Sequence, residues 1–552
     1  MGKNRIQFVA KLVPTLVSLV AAIGLVFTPF RAAGLALTAL ALGIVGWRAM
    51  TSSFSATMPA QLLLTFGAVS TFTVARDGQP PTALAVAASA LILLVVLQPT
   101  MQRIINKPTL RVANLPGYRA ARAVPISPRL LFGTNVAAIA LLAAFGAAGF
   151  TAWPIAVLAV LNLAASGWVT VASRAARIRN QRTMGAFHAA MERYDPAFAL
   201  YFSAPANTEY HVHMWLPYLR RIGRPFVIIV REAKAFLKLA AETDLPVLFC
   251  PSVAYVDQAV TPSMRACFYV NNGARNSHMV RFNHMTHIQL LHGDSDKASS
   301  FNPVTAMFDR IFVAGQAGID RYEANGVAIP RRKFDIVGRP QVEEVQVSHD
   351  HIRDIADKVV LYATTWVGLY SDANYCSLPI GLQIVEKLLE RKATVILRPH
   401  PYTQRDATSA RHLARLIAIL SEDRDKTGRP HIFGPAATTA MSVFDCVNKA
   451  DAMISDVSSV ASDFLYSGKP FALTNMLSES AAALEKAFPL SRAAYTVDAD
   501  AGNLDAVLDD LFEDDPLEST RREVKTYYLG DFDEASYSDA FVEVARSYVD
   551  VS

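Results

Sequence analysis

From residue 8 to about residue 173 charges are sparse, and that run limits the fold more than any other feature. Six apolar stretches fill it, near 12–30, 32–47, 59–75, 82–98, 130–150 and 153–173. Each approaches the roughly 20 residues that a helix needs to cross about 30 Å of hydrocarbon. The second and third are short, so four or five spans would also fit. A cleaved leader fits poorly, because apolar segments continue long after the first. Flanking charges give an orientation. With the N-terminus inside, the cytoplasmic segments carry Lys3, Arg5 and Lys11, then Arg48, then six basic residues between Arg103 and Arg129, then Arg174, Arg177, Arg179 and Arg182. The opposite side carries only Arg31 and Arg76. This asymmetry follows the positive-inside rule and predicts a multi-pass protein with its remaining residues in the cytoplasm.

The apolar run accounts for the unusual composition. Over 552 residues, 52% are hydrophobic and 18% charged, with a mean hydropathy of +0.24. Those values are too apolar for an ordinary soluble enzyme. From residue 174 onward the composition is globular, and about 370 residues suffice for two domains. The net charge of +5 is modest, and many of its basic residues flank the apolar run. It points to a membrane partner and not to nucleic acid. The helices lack carboxylates and are rich in small residues, which favours an anchor or a lipid-acceptor platform over a transport path. The basic loop 99–129 suits anionic headgroups. Cys250, Cys267, Cys376 and Cys446 show no CxxC spacing, so reduced cytosolic thiols are expected.

After residue 182, short apolar runs alternate with helical patterns. The first half offers 198–204, 225–230, 246–252, 267–270, 287–293 and 310–315; the second offers 358–366, 393–401, 431–435, 452–456 and 470–475. Continuous apolar strands between helices predict parallel sheets covered on both faces. The expected architecture is α/β: a membrane region over 1–182, one Rossmann-like lobe over 183–340 and a second over 341–552. Ligands of such sheets bind beyond the carboxyl ends of the strands. No GxGxxG or Walker A motif is present, which argues against a dinucleotide dehydrogenase or a P-loop NTPase.

Polar groups gather at those carboxyl ends. They are His292-Gly293-Asp294, Thr364-Thr365-Trp366, Arg398-Pro399-His400-Pro401 and Ser455-Asp456-Val457-Ser458-Ser459. The last group spans a strand-to-helix turn, with Gly468 as the expected C-cap. Free N–H groups and the positive helix end favour an anion there, although Ser458 and Ser459 could equally be plain N-caps. Asp456 and Asp463 would hold the turn or meet a sugar or glycerol hydroxyl. His400 can donate to a phosphate oxygen, and His292 can serve as general base; each could instead be a turn or buried histidine. His284 and His287 lack such a context and are expected to be structural. One histidine per lobe plus an anion-ready helix start suggests transfer from a pyrophosphate-linked donor. No Asp-x-Asp metal site stands out, and no cofactor is expected.

Four motifs, "LLHGD…K", "LYATTW", "LRPHP" and "ISDVSSVASDFLYSGKPF", in this order over roughly 285–475, resemble the CDP-glycerol glycerophosphotransferase family of teichoic-acid primases and polymerases. The resemblance implies a GT-B-like fold at the cytoplasmic membrane face. It also implies transfer of a polyol phosphate from a CDP-activated donor such as CDP-glycerol to a lipid-linked acceptor, with release of CMP. By the same resemblance, His292 is the catalytic base and His400 a second essential histidine on the donor phosphates. Ser458 and Ser459 resemble the serines that hold the donor phosphate; Arg398, Asp456 and Thr365, at the same strand ends, are the further expected donor-binding residues. Two departures stand out: Asp294-Ser295-Asp296-Lys297 replaces the family's usual residues after His-Gly, and the six apolar segments replace its usual amphipathic attachment. Two rival readings are a GT-B glycosyltransferase using a nucleotide sugar for cell-surface polysaccharide, and a non-catalytic nucleotide-binding membrane scaffold.

Overall fold

The computed structural model describes residues 2–27, 30–51, 57–75, 81–119, 128–205, 207–293, 296, 298–368, 374–477 and 480–550. The chain forms two compact units, Met1–Thr109 with Gly117–Ala189, and Leu110–Pro116 with Ala190–Ser552.

All six apolar stretches of the first unit are helical: α1 (Gly2–Val26), α2 (Arg31–Thr51), α3 (Met58–Ala75), α4 (Pro81–Asn106), α5 (Pro128–Ala148) and α6 (Trp153–Arg182). Among the described residues two stretches, Thr82–Asn106 and Trp153–Arg179, are long and apolar enough to cross a membrane, and four shorter apolar helices accompany them. The inside of the bundle is packed with small side chains, including Ala41, Ala60, Ala68, Ala87 and Ala138. Small residues let helix backbones approach closely. Large apolar side chains face outward: Phe66 is 65% exposed, Trp168 62% and Val171 68%.

In the second unit, eight strands form one sheet in the order β1-β4-β3-β2-β5-β6-β7-β8. These are β1 (Arg111–Ala113), β2 (Phe198–Phe202), β3 (Phe226–Val230), β4 (Val247–Phe249), β5 (Ala266–Tyr269), β6 (Thr286–Gln289), β7 (Arg310–Val313) and β8 (Phe334–Ile336). All neighbours run parallel except β1, which lies antiparallel to β4. The segment between α4 and α5 thus supplies an edge strand, which the sequence pattern did not reveal. Asn114 ties it down, donating from Nδ2 to the carbonyls of Ala240 and Thr243 at 3.2 and 2.6 Å.

A second, all-parallel sheet has the order β10-β9-β11-β12-β13. Its strands are β9 (Val359–Thr364), β10 (Thr394–Pro399), β11 (Ala452–Ser455), β12 (Phe471–Asn475) and β13 (Tyr495–Asp498). The expected strand at 431–435 contributes only an isolated bridge, Ile432 to Ile396. The runs of β2, β3 and β11 are buried at every position, as a sheet covered on both faces requires. Helix Asp539–Val549, in the expected C-terminal lobe by sequence position, packs instead in the core of the first lobe through Phe541, Val542 and Ala545. All four cysteines are free and buried.

Edge strand β1 apart, in both sheets the chain starts inside the sheet and steps outward in two directions. The reversal lies between β2 and β5 in the first lobe and between β9 and β11 in the second. A crevice opens at such a reversal, where neighbouring connections leave on opposite faces. Two of the sequence-derived groups, Thr364–Trp366 and Ser455–Ser459, therefore flank one crevice.

Candidate functional site

His292 stands beyond the end of β6's ladder, on a strained corner. Leu291 has φ 57, a left-handed conformation that costs a non-glycine residue about 1–2 kcal/mol. The Trp215 indole Nε1 donates to the Leu291 carbonyl at 2.7 Å and holds the corner. The His292 ring then lies face to face with His211, centroids 3.6 Å apart and planes 6° from parallel. Tyr210 meets it edge-on at 6.4 Å. Gly293 brings the corner against the second lobe: a Cβ there would lie 3.5 Å from the Ser459 Cβ and Oγ. The corner that carries His292 thus lies close to the start of helix Ser459–Phe464.

His400 follows β10 on a turn. Its ring lies at 25° to that of Trp366, with centroids 6.2 Å apart, and Tyr402 meets it edge-on at 5.2 Å. Arg405 sits 3.5 Å over the Tyr402 ring. Burial raises the Tyr210 phenol above its ordinary value, and nearby Tyr402 adds to the rise. Tyr210 thus borders His292 and Tyr402 borders His400.

Hydrogen bonds set the tautomers of the two rings. His292 Nδ1 lies 3.2 Å from the Val270 carbonyl, which can only accept. Nδ1 therefore carries the proton, and Nε2 carries the lone pair. His400 Nδ1 accepts from the Tyr402 backbone N–H at 3.0 Å, so its proton sits on Nε2. One imidazole is set as a base and the other as a donor. Burial pushes the His292 pKa below its ordinary value; the Val270 bond opposes this and the Arg339 charge reinforces it. Burial, aided by His292, drives His211 down to about 3. Both stacked rings are neutral at pH 7.

On the second lobe, helix Ser459–Phe464 continues as a 3₁₀ turn to Ser467 and ends at Gly468, the expected C-cap, with φ 73. Ser458 is the N-cap residue, yet its side chain makes no capping bond. The plain-capping alternative is thus not the arrangement seen. Ser458 and Ser459 are partly exposed at the uncapped helix start.

Two expected donor-binding residues, Asp456 and Thr365, stand behind the surface instead of on it, and a third, Arg398, is engaged by protein acceptors. Asp456 is 0% exposed. Its carboxylate accepts from the Thr365 N–H at 2.6 Å, the Ser377 N–H at 3.2 Å and the Thr474 hydroxyl at 2.8 Å. Burial pushes it up to about 6 against these donors. It is a strut joining the β9, β11 and β12 loops, and no ligand can touch it in this arrangement. Thr365 is 4% exposed and held by that strut. Arg398 Nη1 donates to the carbonyls of Ala437 and Met441 and to the Cys446 thiol, so it fixes the 437–446 segment. Asp463 does not hold the turn either; it forms a buried ion pair with Arg339. Of the residues after His-Gly, Asp296 pairs with Arg321 and accepts from the Tyr528 hydroxyl at 2.6 Å; Asp294, Ser295 and Lys297 lie outside the described residues. His287 is structural as expected, bonded to the Tyr269 hydroxyl and the Phe282 carbonyl at 2.8 and 2.9 Å.

Sequence reasoning missed His211, Trp215, Arg339 and Tyr402. His211 and Trp215 lie in a segment that reads as an amphipathic helix, and Arg339 in the connection between lobes. Only Tyr402, two residues after His400, carried a local signal.

Residues 329–475 match the family model described as CDP-Glycerol:Poly(glycerophosphate) glycerophosphotransferase. This is the family that the sequence motifs resemble. The match takes in Thr365, Arg398, His400, Asp456, Ser458 and Ser459, and His292 lies outside it. It supports a transferase. No curated protein sequence matches the chain. Solved structures similar to parts of the chain include a variant of the wall teichoic acid polymerase TagF soaked with CDPG, at 15% identity and a TM-score of 0.39, covering 67% of this chain and 98% of that one. A glycosyltransferase from Rickettsia africae gives 11% identity and a TM-score of 0.41, covering 64% and 99%. The S. aureus MnaA–UDP structure gives 11% and 0.43, covering 64% and 97%. At these TM-scores the likenesses add nothing to what the sheets themselves establish.

Proposed function

We propose that this protein is a membrane-anchored transferase. It moves glycerol phosphate, or a similar polyol phosphate, from a CDP-activated donor to a lipid-linked acceptor in teichoic-acid-like polymer synthesis, and it releases CMP. What supports the reading is the pair of oppositely set imidazoles, His292 and His400, with the His292 corner close to a helix start whose N-cap side chain makes no capping bond. In this mechanism His292 Nε2 takes the proton of the acceptor hydroxyl. The hydroxyl oxygen bonds to the donor phosphorus that bears the polyol, and the bond from that phosphorus to the bridging oxygen of CMP breaks. CMP leaves as an anion that receives hydrogen bonds from His400 Nε2–H and from the backbone N–H groups near Ser459. The family match over 329–475 supports the donor class.

The outward apolar side chains of α1–α6 and the one-sided basic residues support membrane anchoring with the catalytic unit cytoplasmic. A depression of about 630 Å³ lined by Tyr118, Arg119 and Thr183 is of a size and charge that suit a lipid phosphate at the anchor.

The test uses full-length protein in lipid nanodiscs with CDP-glycerol, CDP-ribitol, UDP-sugars and GDP-sugars. CMP release from a CDP-polyol is expected, with His292→Ala and His400→Ala each lowering it about 10²–10⁴-fold. Release of UDP or GDP instead, or undiminished CMP release by both variants, would defeat the reading.

A further inference from the structure

The mechanism above leaves one buried imidazole unused. His211 is 7% exposed, sits on the short helix Tyr210–His213 after β2, and has no hydrogen-bond partner at Nδ1. A buried polar nitrogen left unpaired costs about 1–3 kcal/mol. A leucine or phenylalanine would fill such a place without that cost. The ring is held instead against His292, at 3.6 Å and 6°, and Phe202 and Tyr210 meet its other edges at 6.3 and 4.3 Å.

We propose that His211 is a positioning residue for His292: its stacked ring fixes the plane of that imidazole and keeps water off its inner face, so that Nε2 stands ready as a base. This rests on the assignment of His292 as the base. Two contacts define the His292 ring. The Val270 carbonyl bond fixes the Nδ1 edge, but a single hydrogen bond leaves the ring free to swing about it. The parallel His211 face removes that freedom. It also shields the ring from solvent, which disfavours the charged form. The neutral His211 adds no charge of its own at pH 7, because burial has already driven its pKa to about 3.

Other groups around His292 cannot replace this effect. Among the described residues, those facing it are Tyr210 on the His211 helix, Arg339 from the connection between lobes, and Asp463, which pairs with Arg339 from the second lobe. Tyr402 acts on Tyr210. Arg339 is permanently charged and Asp463 neutralises it, so neither follows pH across the range where a histidine titrates.

The experiment compares wild type, His211→Ala and His211→Phe in the full chain in nanodiscs. Two readouts are followed against pH. One is kcat and KM for CMP release from CDP-glycerol. The other, independent of activity, is the rate of carbethoxylation of His292 by diethylpyrocarbonate, read by mass spectrometry, since only the neutral ring reacts. The wild-type inflection is expected below the ordinary histidine value of about 6.5. His211→Ala should move both inflections up by about one pH unit and lower kcat more than it changes KM. His211→Phe, which keeps a flat face of similar size, should return the inflection to the wild-type position. An unmoved inflection in His211→Ala overturns the inference, as does a Phe variant that shifts like Ala. If His211→Ala does not fold, a shifted inflection in His211→Phe still overturns the inference. If His292→Ala is active, the base assignment fails while the carbethoxylation profile still judges His211.

Discussion

The ion pair between Arg339 and Asp463 offers a demanding test of how the lobes are joined. Arg339 lies in the connection between them, and Asp463 lies on the helix whose start faces His292. Their side chains are 6% and 7% exposed. Nε of Arg339 donates to one carboxylate oxygen and Nη2 to the other at 3.1 Å, a two-pronged geometry. Nη1 also approaches Gln341 Oε1 at 3.5 Å. A buried pair gains little over an apolar pair of the same shape, yet removing one partner strands a buried charge at about 3–5 kcal/mol. Arg339→Met and Asp463→Leu should therefore each cost about 3–5 kcal/mol. The double variant strands no charge, so it should cost less than the sum of the two by at least about 2 kcal/mol. Urea unfolding of the purified full chain, followed by fluorescence at fixed detergent, measures all four corners of the cycle. Costs that add to within about 0.5 kcal/mol would refute the pairing. A second signature is specific to the site. The Arg339 charge pushes the His292 pKa down, so in Arg339→Met the acid limb of activity should move to higher pH. The sign follows from charge alone, because a nearby cation disfavours imidazolium.

Two further outcomes follow from the same coordinates. Asp456 has a folded pKa of about 6 against 3.8 for the free group. Its stability contribution is therefore fully present below pH 3.8 and is lost as pH rises through about 6, a loss of roughly 3 kcal/mol. Asp456→Asn cannot ionise, so its stability relative to wild type should improve by about that amount from about pH 4 to about pH 7; a gap that stays constant with pH in thermal melts would contradict the buried-strut assignment. Gly315 and Gly293 should differ sharply when changed to alanine. A Cβ at Gly315 would lie 2.5 Å from the Tyr527 carbonyl oxygen, on a helix too well packed to yield, so Gly315→Ala should cost about 1–3 kcal/mol. At Gly293 the nearest atoms are at 3.5 Å, so melting should be almost unchanged while the cleft narrows; equal melting losses for both would show that the lobes meet differently.

The alternation of apolar runs and helical patterns made most of the fold legible. Ten of the eleven expected runs contain a regular strand, because a strand buried on both faces needs a continuous apolar run. The failures have physical causes. β1 is three residues long with one buried side chain, too short to carry a period, and it exists only because the edge of β4 is there to pair with. β8 and β13 also escaped notice; they lie at the sheet edges, where partly exposed positions break the apolar run. At 431–435 the apolar run is real, but Gly434 and Pro435 end it and only Ile432 reaches the sheet. Helix Asp539–Val549 has an ordinary amphipathic pattern; which lobe it covers is decided by where Phe541 finds the rings of Trp215 and Phe312, at 5.1 and 5.9 Å.

The same division runs through the site. Local sequence placed His292, His400, Ser458 and Ser459 at strand ends, because turn chemistry and helix-start residues act over a few neighbours. Roles that depend on distant partners were invisible to it. Asp456 and Ser458, two residues apart on one turn, look alike as polar groups, yet one is sealed beneath the β9 loop and the other lies partly open beside the cleft. Nor could any local pattern tell that His211 would stack on the distant His292, or that Arg339 would reach Asp463. The chain alone thus determined where polar groups end each strand, since backbone geometry and burial are set by near neighbours. Which of those groups are sealed inside and which stay open was decided by tertiary packing, within each sheet and between the two.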